Sequence, residues 1–427
     1  MKRQVILSLL LCLTMVLTAV LPVALASGKP FEGQTLTVLY MSSVYADAAR
    51  AIAPEFEAAT GAKVDVVDFP YITLHEKALL DLTSGTGSYD VIDVACQWDG
   101  EFAPYLEDLD PYIEKDNFDT SVFIDNVIAQ AGIWQGKYTG IPAANTPQVI
   151  AYRTDLIPDG IPATWEEYVK LAEDLTNAAE GFYGISTPGV REQYGGIWSS
   201  ILWSMGGAWA DEDWNVTINS QEARDALAIS ARVYAAADPA APSWGLEESI
   251  KAFLDGKAAI CEAWPTLGIT QDGNNPDKSQ IVGKWALSPF PYEKEGITNL
   301  SAWDLSINAS SANKDLAWEW IKLYTSEENQ NVRFYNEFNI LSPRKNFWET
   351  QQIKDAGLYP LRIALDTALI WWRIPASVEA DTVIGTNVSA FVSGQLTADE
   401  ALVKMEEGLK QALQNSPPEP GTKNYNK

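Results

Sequence analysis

Tryptophans at the predicted ends of loops and strands are the residues of this sequence that could form a binding site. They are Trp98, Trp264, Trp303 and the pair Trp371–Trp372. A sugar ring presents flat C–H faces, on which an aromatic plane can pack, and a border of hydroxyl groups. Charged side chains form the stronger hydrogen bonds to such hydroxyls. The charged residues that could supply them are Asp99, Glu262, Asp304 and Arg344.

A structural role is the competing interpretation of the same tryptophans. Trp165, Trp318 and Trp320 lie on predicted helices, and we expect them in the core. For Trp303 the alternative is a buried indole ring beside a solvated Asp304, which is an ordinary arrangement in globular proteins. The sequence leaves both interpretations open for the tryptophans at loop and strand ends.

Three β-branched or aromatic segments, residues 35–40, 64–67 and 89–95, are predicted strands separated by helices. Alternation of strand and helix predicts an α/β fold with a mostly parallel sheet. In such sheets ligands bind beyond the carboxyl ends of the strands. The loops at these ends contribute Ser43, Tyr45, Gln97, Trp98 and Asp99 to the candidate site.

Composition argues against several classes of function. The formal net charge is −27, and such an acidic surface repels nucleic acid and anionic lipid. His75 is the one histidine, so a histidine metal cluster and a Ser-His-Asp triad are both disfavoured. We therefore expect no cofactor, no metal site and no nucleic-acid partner.

The amino-terminal 26 residues have the pattern of a secretion signal. Lys2 and Arg3 form a basic end, residues 5–20 are mostly apolar, and Ala24-Leu25-Ala26 fits a cleavage site. The apolar run could instead anchor the chain in a membrane, although Pro22 opposes a continuous helix. We expect cleavage and release into the periplasm. Such a compartment permits a disulfide between Cys96 and Cys261, and two buried thiols are the alternative.

Several short motifs occur in a characteristic order. Residues 136–142 read GKYTGIP, residues 152–156 read YRTDL, and residues 162–167 read PATWEE. Residues 306–308 read SIN, followed by KDLAWEWIK at 314–322 and TSEENQ at 325–330. In this order they resemble the family 1 extracellular solute-binding proteins, the capture subunits of ABC importers for sugars and related solutes. Arg153 stands where the family pattern usually has Asn.

The resemblance implies a type II periplasmic-binding-protein fold with two α/β lobes, each a mostly parallel sheet flanked by helices. Residues 27–143 and 303–342 would form the amino-terminal lobe, and residues 147–299 and 345–414 the carboxy-terminal lobe. Hinge crossings are expected near residues 143–147, 299–303 and 341–344. Residues 415–427 are expected to be a flexible tail.

The resemblance also implies a ligand and a partner. The cleft between the lobes would bind a sugar or small oligosaccharide and deliver it to the transmembrane subunits of an ABC permease. We expect a monomer without enzymatic activity. The residues that we expect to bind the substrate are Ser43, Tyr45, Gln97, Trp98, Asp99, Asn145, Tyr194, Glu262, Trp264, Trp303, Asp304, Arg344 and Trp372.

Two alternatives remain. A binding protein of the same fold could take a polyol, glycerol phosphate or a polyamine. A secreted glycoside hydrolase would also combine aromatic residues with two carboxylates. Asp99, Glu262 and Asp304 could fill that role, but no motif pairs them.

Overall fold

The computed structural model describes residues 29–265, 268–294 and 296–424 of the chain. The predicted secretion signal, residues 1–26, lies outside these ranges, so its cleavage stays a prediction. Of the helices within the ranges, none is long and apolar enough to cross a membrane.

Strands and helices alternate along much of the chain. The strands of the described ranges are β1 (Thr35–Met41), β2 (Lys63–Phe69), β3 (Val91–Ala95), β4 (Ile133–Trp134), β5 (Lys137–Tyr138), β6 (Ile141–Pro147), β7 (Val149–Arg153), β8 (Tyr183–Ser186), β9 (Ala258–Ala263), β10 (Trp285–Ser288) and β11 (Leu300–Ile307).

The α-helices of the same ranges are α1 (Val44–Thr60), α2 (Tyr71–Ser84), α3 (Asp99–Phe102), α4 (Asp110–Asp116), α5 (Asp125–Gln130), α6 (Trp165–Leu175), α7 (Arg191–Ser204), α8 (Gln221–Ala235), α9 (Leu246–Leu254), α10 (Ile269–Asp272), α11 (Lys314–Tyr324), α12 (Phe334–Phe338), α13 (Gln351–Asp355), α14 (Tyr359–Thr367), α15 (Ser377–Val392) and α16 (Ala398–Asn415). Thr164 and Thr397 cap α6 and α16 through their hydroxyls, as their sequence patterns predict.

Two sheets organise the molecule. The first has the strand order β2-β1-β3-β11-β6, and the second has the order β10-β7-β9-β8. We call each sheet with the helices packed on it the first lobe and the second lobe. The expected α/β architecture with two helix-flanked sheets is confirmed.

One strand in each sheet runs against the rest. In the first sheet β11 is antiparallel to both β3 and β6, whereas β1 is parallel to β2 and β3. In the second sheet β7 is antiparallel to β9 and β10, whereas β8 is parallel to β9. β7 and β11 are the strands that enter from the other lobe. The carboxyl ends of the remaining strands therefore share one edge in each sheet.

The segments that cross between the sheets are hydrogen-bonded to one another. The chain passes from β6 to β7 at Gln148, whose N–H donates to the carbonyl oxygen of Asn299 at 2.9 Å. The Thr298 hydroxyl donates to the carbonyl oxygen of Gln148 at 2.8 Å. The segment at Leu369 is bonded to these crossings as well: its N–H donates to the carbonyl oxygen of Thr298 at 2.8 Å. In the structure, residues 143–147 belong to β6 and residues 300–303 to β11, so the crossings lie next to these predicted segments.

Three clusters of buried apolar side chains fill the molecule. One lies in the first lobe and one in the second. The third combines residues of both sheets, such as Val149 and Leu300, with α5 and α14. Cys96 and Cys261 belong to this third cluster and are buried free thiols. Of the two alternatives, a disulfide and a pair of buried thiols, the structure has the second.

The segment after α16 differs from the expectation of a flexible tail. Asn424 is buried, and its amide donates to the carbonyl oxygens of Ala210 and Asp211 at 3.0 and 3.2 Å. The Trp214 indole N–H donates to the carbonyl oxygen of Thr422 at 2.9 Å. These bonds hold the segment on the second lobe as far as Asn424. The composition of the segment does not reveal them, because they join side chains to backbone carbonyl oxygens that are distant in sequence.

Candidate functional site

A cleft of about 530 Å³ lies between the two lobes at the edge where the strands end. The residues that follow β2, β1 and β3 reach it: Tyr71, Tyr45 and Gln97. Trp264 follows the carboxyl end of β9 and reaches it from the second lobe. The cleft thus occupies the position in which α/β sheets bind ligands.

Aromatic rings form the wall on the first lobe. The ring of Trp303 lies 6.0 Å from that of Tyr45 and 6.0 Å from that of Tyr71, measured between centroids. Trp98 packs behind them, 5.6 Å from Trp303 and 4.9 Å from Tyr71. Because each ring is held by its neighbours, the wall is a fixed apolar surface on which a flat solute can stack.

Strand β11 turns Trp303 into this wall. Its ladder with β6 shifts register between Trp303 and Asp304, and Trp303 lies opposite the small residues Ala95 and Ala144. The next side chain, Asp304, points to the other side of the sheet. A β-carbon on Gly140 would lie 1.8 Å from the Asp304 carboxyl oxygen Oδ1, so this side accommodates the carboxyl group only because residue 140 is glycine.

Glycines in α7 position the wall on the second lobe. A β-carbon on Gly195 would lie 3.1 Å from the Cα atom of Gly385, so these glycines bring α7 and α15 into direct backbone contact. A β-carbon on Gly196 would lie 3.1 Å from Cζ2 of Trp371 and 3.4 Å from Cη2 of Trp264. Gly196 therefore makes room for both indole rings at the cleft.

Several polar atoms at the cleft have no hydrogen-bond partner among the described residues although they are buried. They are Oε1 of Gln193, Nε1 of Trp264, Nδ2 of Asn299 and Oγ of Ser377. An unpaired buried polar atom costs free energy comparable to a lost hydrogen bond. The arrangement can recover this cost by hydrogen-bonding a solute that carries both donors and acceptors.

Three charged side chains line the cleft. Nε of Arg191 lies 2.5 Å from the Glu192 carboxylate, and both side chains are more than half exposed at the rim. Asp381 on α15 is partly buried, and burial raises the pKa of its carboxyl to about 7. Glu192 adds to this increase and Arg191 opposes it. Within the described ranges, no group of three His, Cys, Asp or Glu side chains could hold a metal ion.

A larger cavity of about 750 Å³ lies elsewhere and shares no lining residue with the cleft. Trp134, Trp214 and Arg373 line it together with residues 419–424. The strand ends that position the cleft do not reach it. We therefore assign the candidate site to the smaller cavity between the lobes.

Four of the sequence-predicted site residues line the cleft: Tyr45, Gln97, Trp264 and Trp303. Trp303 combines both interpretations offered for it, because it lines the cleft and yet is only 4% exposed among its aromatic neighbours. Trp98 supports the wall from behind without lining it.

The three predicted carboxylates are buried outside the cleft. Asp99 accepts a hydrogen bond from Arg373; burial raises the pKa of Asp99 to about 6, and Arg373 opposes this increase. Glu262 accepts from the Tyr168 hydroxyl at 2.9 Å, and burial raises its pKa to about 7. Asp304 accepts from the Ser306 hydroxyl at 2.8 Å, and burial together with nearby Asp99 holds its pKa well above the ordinary value.

The other predicted residues have structural roles. The hydroxyl of Ser43 caps α1, and the Asn145 amide donates to the Leu341 carbonyl oxygen at 3.4 Å. Tyr194 is buried against Tyr234. Arg344 donates to the Thr325 carbonyl oxygen at 2.8 Å. Trp372 is buried between Trp209 and Trp214, and its neighbour Trp371 lines the cleft instead.

Sequence reasoning missed Tyr71, Asn299 and the whole α15 wall with Ser377 and Asp381. Tyr71 could have been found, because it follows the second predicted strand as Tyr45 follows the first. The α15 wall had no comparable signal, since its place depends on the contact between Gly195 and Gly385.

The chain is similar in sequence to known proteins. Residues 42–331 match the family model described as "Bacterial extracellular solute-binding protein". The chain is similar to a probable amino-acid ABC transporter periplasmic-binding protein of Sinorhizobium fredii, with 27% identity over 70% of each chain. It is also similar to the erythritol/L-threitol-binding protein of Mycolicibacterium smegmatis, with 23% identity over 70% of this chain and 68% of the relative.

Two solved structures share the fold over most of the chain. A solute-binding protein of an ABC transporter from Agrobacterium radiobacter, in complex with ribitol, superposes with a TM-score of 0.78 and 25% identity. It covers 91% of this chain and 100% of its own. A maltose-bound protein of T. maritima superposes with a TM-score of 0.77 and 25% identity, covering 88% and 99%.

Proposed function

This chain belongs to the bacterial extracellular solute-binding protein family, and from that premise we propose that its cleft captures a polyhydroxylated solute, a sugar or a polyol. The chain is the solute-binding subunit of an ABC transporter and acts outside the cytoplasm. In this proposal the liganded protein delivers its solute to the transmembrane subunits of a permease.

The observation that carries the proposal is the combination of flat and polar surfaces in one cleft. Rings of Tyr45, Tyr71 and Trp303 face the cleft from one lobe, and Trp264 and Trp371 from the other. Beside them are the buried polar atoms without protein partners. Carbon-bound hydrogens of a sugar or polyol suit the rings, and its hydroxyls both donate and accept, as these atoms require.

Similar proteins support this class of solute. The structure from Agrobacterium radiobacter contains ribitol, the one from T. maritima contains maltose, and the relative from Mycolicibacterium smegmatis is named for erythritol and threitol. Glycerol phosphate is disfavoured, because Arg191 is the one cation among the described lining residues and it is paired with Glu192.

Closure of the lobes is the proposed mechanism of capture. Both lobes contribute groups that line the cleft, so a solute contacts all of these groups only in the closed form. Binding therefore shifts the population towards that form by the free energy of the additional contacts. One chain supplies both walls, so the proposal requires no second copy, and the protein acts as a monomer.

An enzymatic role has less support. The carboxylates proposed for hydrolysis, Asp99, Glu262 and Asp304, lie outside the cleft. Its remaining carboxylates are Glu192 at the rim and Asp381. Product formation from maltotriose, followed by chromatography, would move the protein into the hydrolase class.

A thermal-shift screen tests the proposal. The panel contains ribitol, erythritol, mannitol, glucose, maltose, amino acids and putrescine. A ligand at about 100 times its dissociation constant stabilises the folded protein by about 2.7 kcal/mol, and we expect at least one polyol or sugar to do so. An amino acid or putrescine that raises the melting temperature, with no polyol or sugar doing so, would overturn the proposal.

A further inference from the structure

Building on the proposed function, we propose that the solute carries a protonated amine on its polyhydroxylated frame and that the Asp381 carboxylate binds this amine. The preferred substrate class is therefore an amino-polyol or amino sugar. Asp381 would determine the preference for these compounds over their neutral counterparts.

Asp381 is placed where a solute can reach it. It lines the cleft from α15, and its Oδ1 atom would lie 3.8 Å from a β-carbon on Gly195. Among the described residues Asp381 forms no ion pair and no hydrogen bond through its side chain. The carboxylate is thus positioned by the contact between α7 and α15 and remains available to a solute.

Three charged or titratable groups lie around Asp381. Tyr71 faces it from the first lobe, and Arg191 and Glu192 lie near it on α7. Arg191 is already bound to Glu192 at the exposed rim. The three charges of the cleft sum to one negative charge, which resides on Asp381.

Burial makes this negative charge costly without a cation. It raises the pKa of Asp381 to about 7, with Glu192 acting in the same direction. A neutral hydroxyl hydrogen-bonds to the carboxylate but leaves its charge uncompensated, whereas an ammonium group pairs with it directly. Both contacts are charge-assisted hydrogen bonds, because the acceptor is ionised in each. Only the ammonium adds the Coulomb attraction between two opposite charges.

The aromatic walls favour the same ligand. Five rings border the cleft, and ring faces attract ammonium groups through their quadrupole. The buried amide, hydroxyl and indole groups described above remain for the hydroxyls of the frame. A bare polyamine would use the carboxylate and the rings but would leave these polar groups unpaired.

Matched pairs of compounds test the inference by calorimetric titration at pH 8. The pairs are ribitylamine with ribitol and glucamine with glucitol, and putrescine represents an amine without hydroxyls. We expect the amine of at least one pair to bind about tenfold tighter or more than its neutral partner, because only the amine adds attraction between opposite charges to the hydrogen bond.

Substitution of the carboxylate completes the test. Asp381→Asn should reduce the preference to about threefold or less, and lowering the pH to 5.5 should reduce it in the wild-type protein, because Asp381 then takes up a proton. Asp366→Asn, which removes an exposed charge on α14 paired with Arg362, should keep the full preference. Melting curves confirm that both variants are folded.

The outcomes separate the inference from the proposed function. Equal affinity for both members of each pair would overturn the inference and leave the proposed function intact, as would an unchanged preference in Asp381→Asn. Binding of putrescine alone would overturn both, and so would the absence of binding to every polyol, sugar and amine tested.

Discussion

The guanidinium of Arg373 donates to the carboxylate of Asp99 at 2.5 Å, and this ion pair joins the two lobes. Asp99 begins α3 just after β3 in the first lobe, and Arg373 lies in the segment that leads into α15. Asp99 is 1% exposed, so its charge depends on the arginine.

Removal of the arginine should destabilise the protein strongly. Arg373→Ala leaves Asp99 buried without its partner, which costs about 3–5 kcal/mol in comparable pairs. Lys251→Ala removes a partner from the exposed pair with Asp255 and should leave stability almost unchanged. Urea denaturation measures both, and equal losses in the two variants would contradict the structural role of the buried pair.

Stability should fall as the pH rises from about 5 to about 8. Burial raises the pKa of Asp99 to about 6, of Glu262 and Asp381 to about 7, and of Asp93 to about 8. In this range the folded protein keeps protons that the unfolded chain has released, so the free energy of unfolding decreases with pH. Denaturation curves at several pH values test this, and a free energy of unfolding that is constant or rises with pH would contradict it.

Two glycines should respond differently to alanine. In Gly196→Ala the new methyl group presses on Trp371 and Trp264, so we expect weaker solute binding, while the gain in helix propensity, about 1 kcal/mol, helps preserve the fold. In Gly385→Ala the β-carbon would lie 2.2 Å from the carbonyl oxygen of Arg191, so this variant should unfold more easily. Melting curves and titrations separate the two, and unchanged affinity in Gly196→Ala would exclude a role for this glycine in shaping the cleft.

Trp303→Ala should affect both binding and stability. The ring lines the cleft, and stacking on a flat ligand face is worth about 1–3 kcal/mol by analogy with nucleobases. It is also packed among Tyr45, Tyr71 and Trp98, so its loss should cost about 3–5 kcal/mol of stability. Trp372→Ala is the matched control, since it should destabilise the second lobe without weakening binding by the folded protein. A comparable loss of affinity in both variants would argue against a direct contact through Trp303.

Prediction from sequence succeeded where a local rule determines the outcome. The alternation of strands and helices placed the candidate site at the strand ends, where the cleft lies, and this rule selected Tyr45 and Gln97, which line it. It failed where a side chain could face either way. Trp371 lines the cleft and Trp372 is in the core, although they are adjacent and of the same type. The direction of such a residue is set by tertiary packing.

The buried carboxylates were misplaced for a related reason. Asp99, Glu262 and Asp304 are suitable for binding hydroxyls, but their partners, Arg373, Tyr168 and Ser306, occupy them inside the protein. Two of these partners are distant in sequence. Asp381, the carboxylate that does line the cleft, lies within a helix and has no local motif that distinguishes it from a surface residue.

Calorimetric titration of a screened polyol or sugar into two cavity-blocking variants shows directly which cavity binds the solute. Ser301→Trp fills the cleft between the lobes, and Glu419→Trp fills the larger cavity beside the carboxy-terminal segment. Melting curves establish that both variants are folded. We expect that Ser301→Trp abolishes binding and that Glu419→Trp binds as the wild-type protein does. Full affinity in Ser301→Trp, with binding lost in Glu419→Trp, would contradict it.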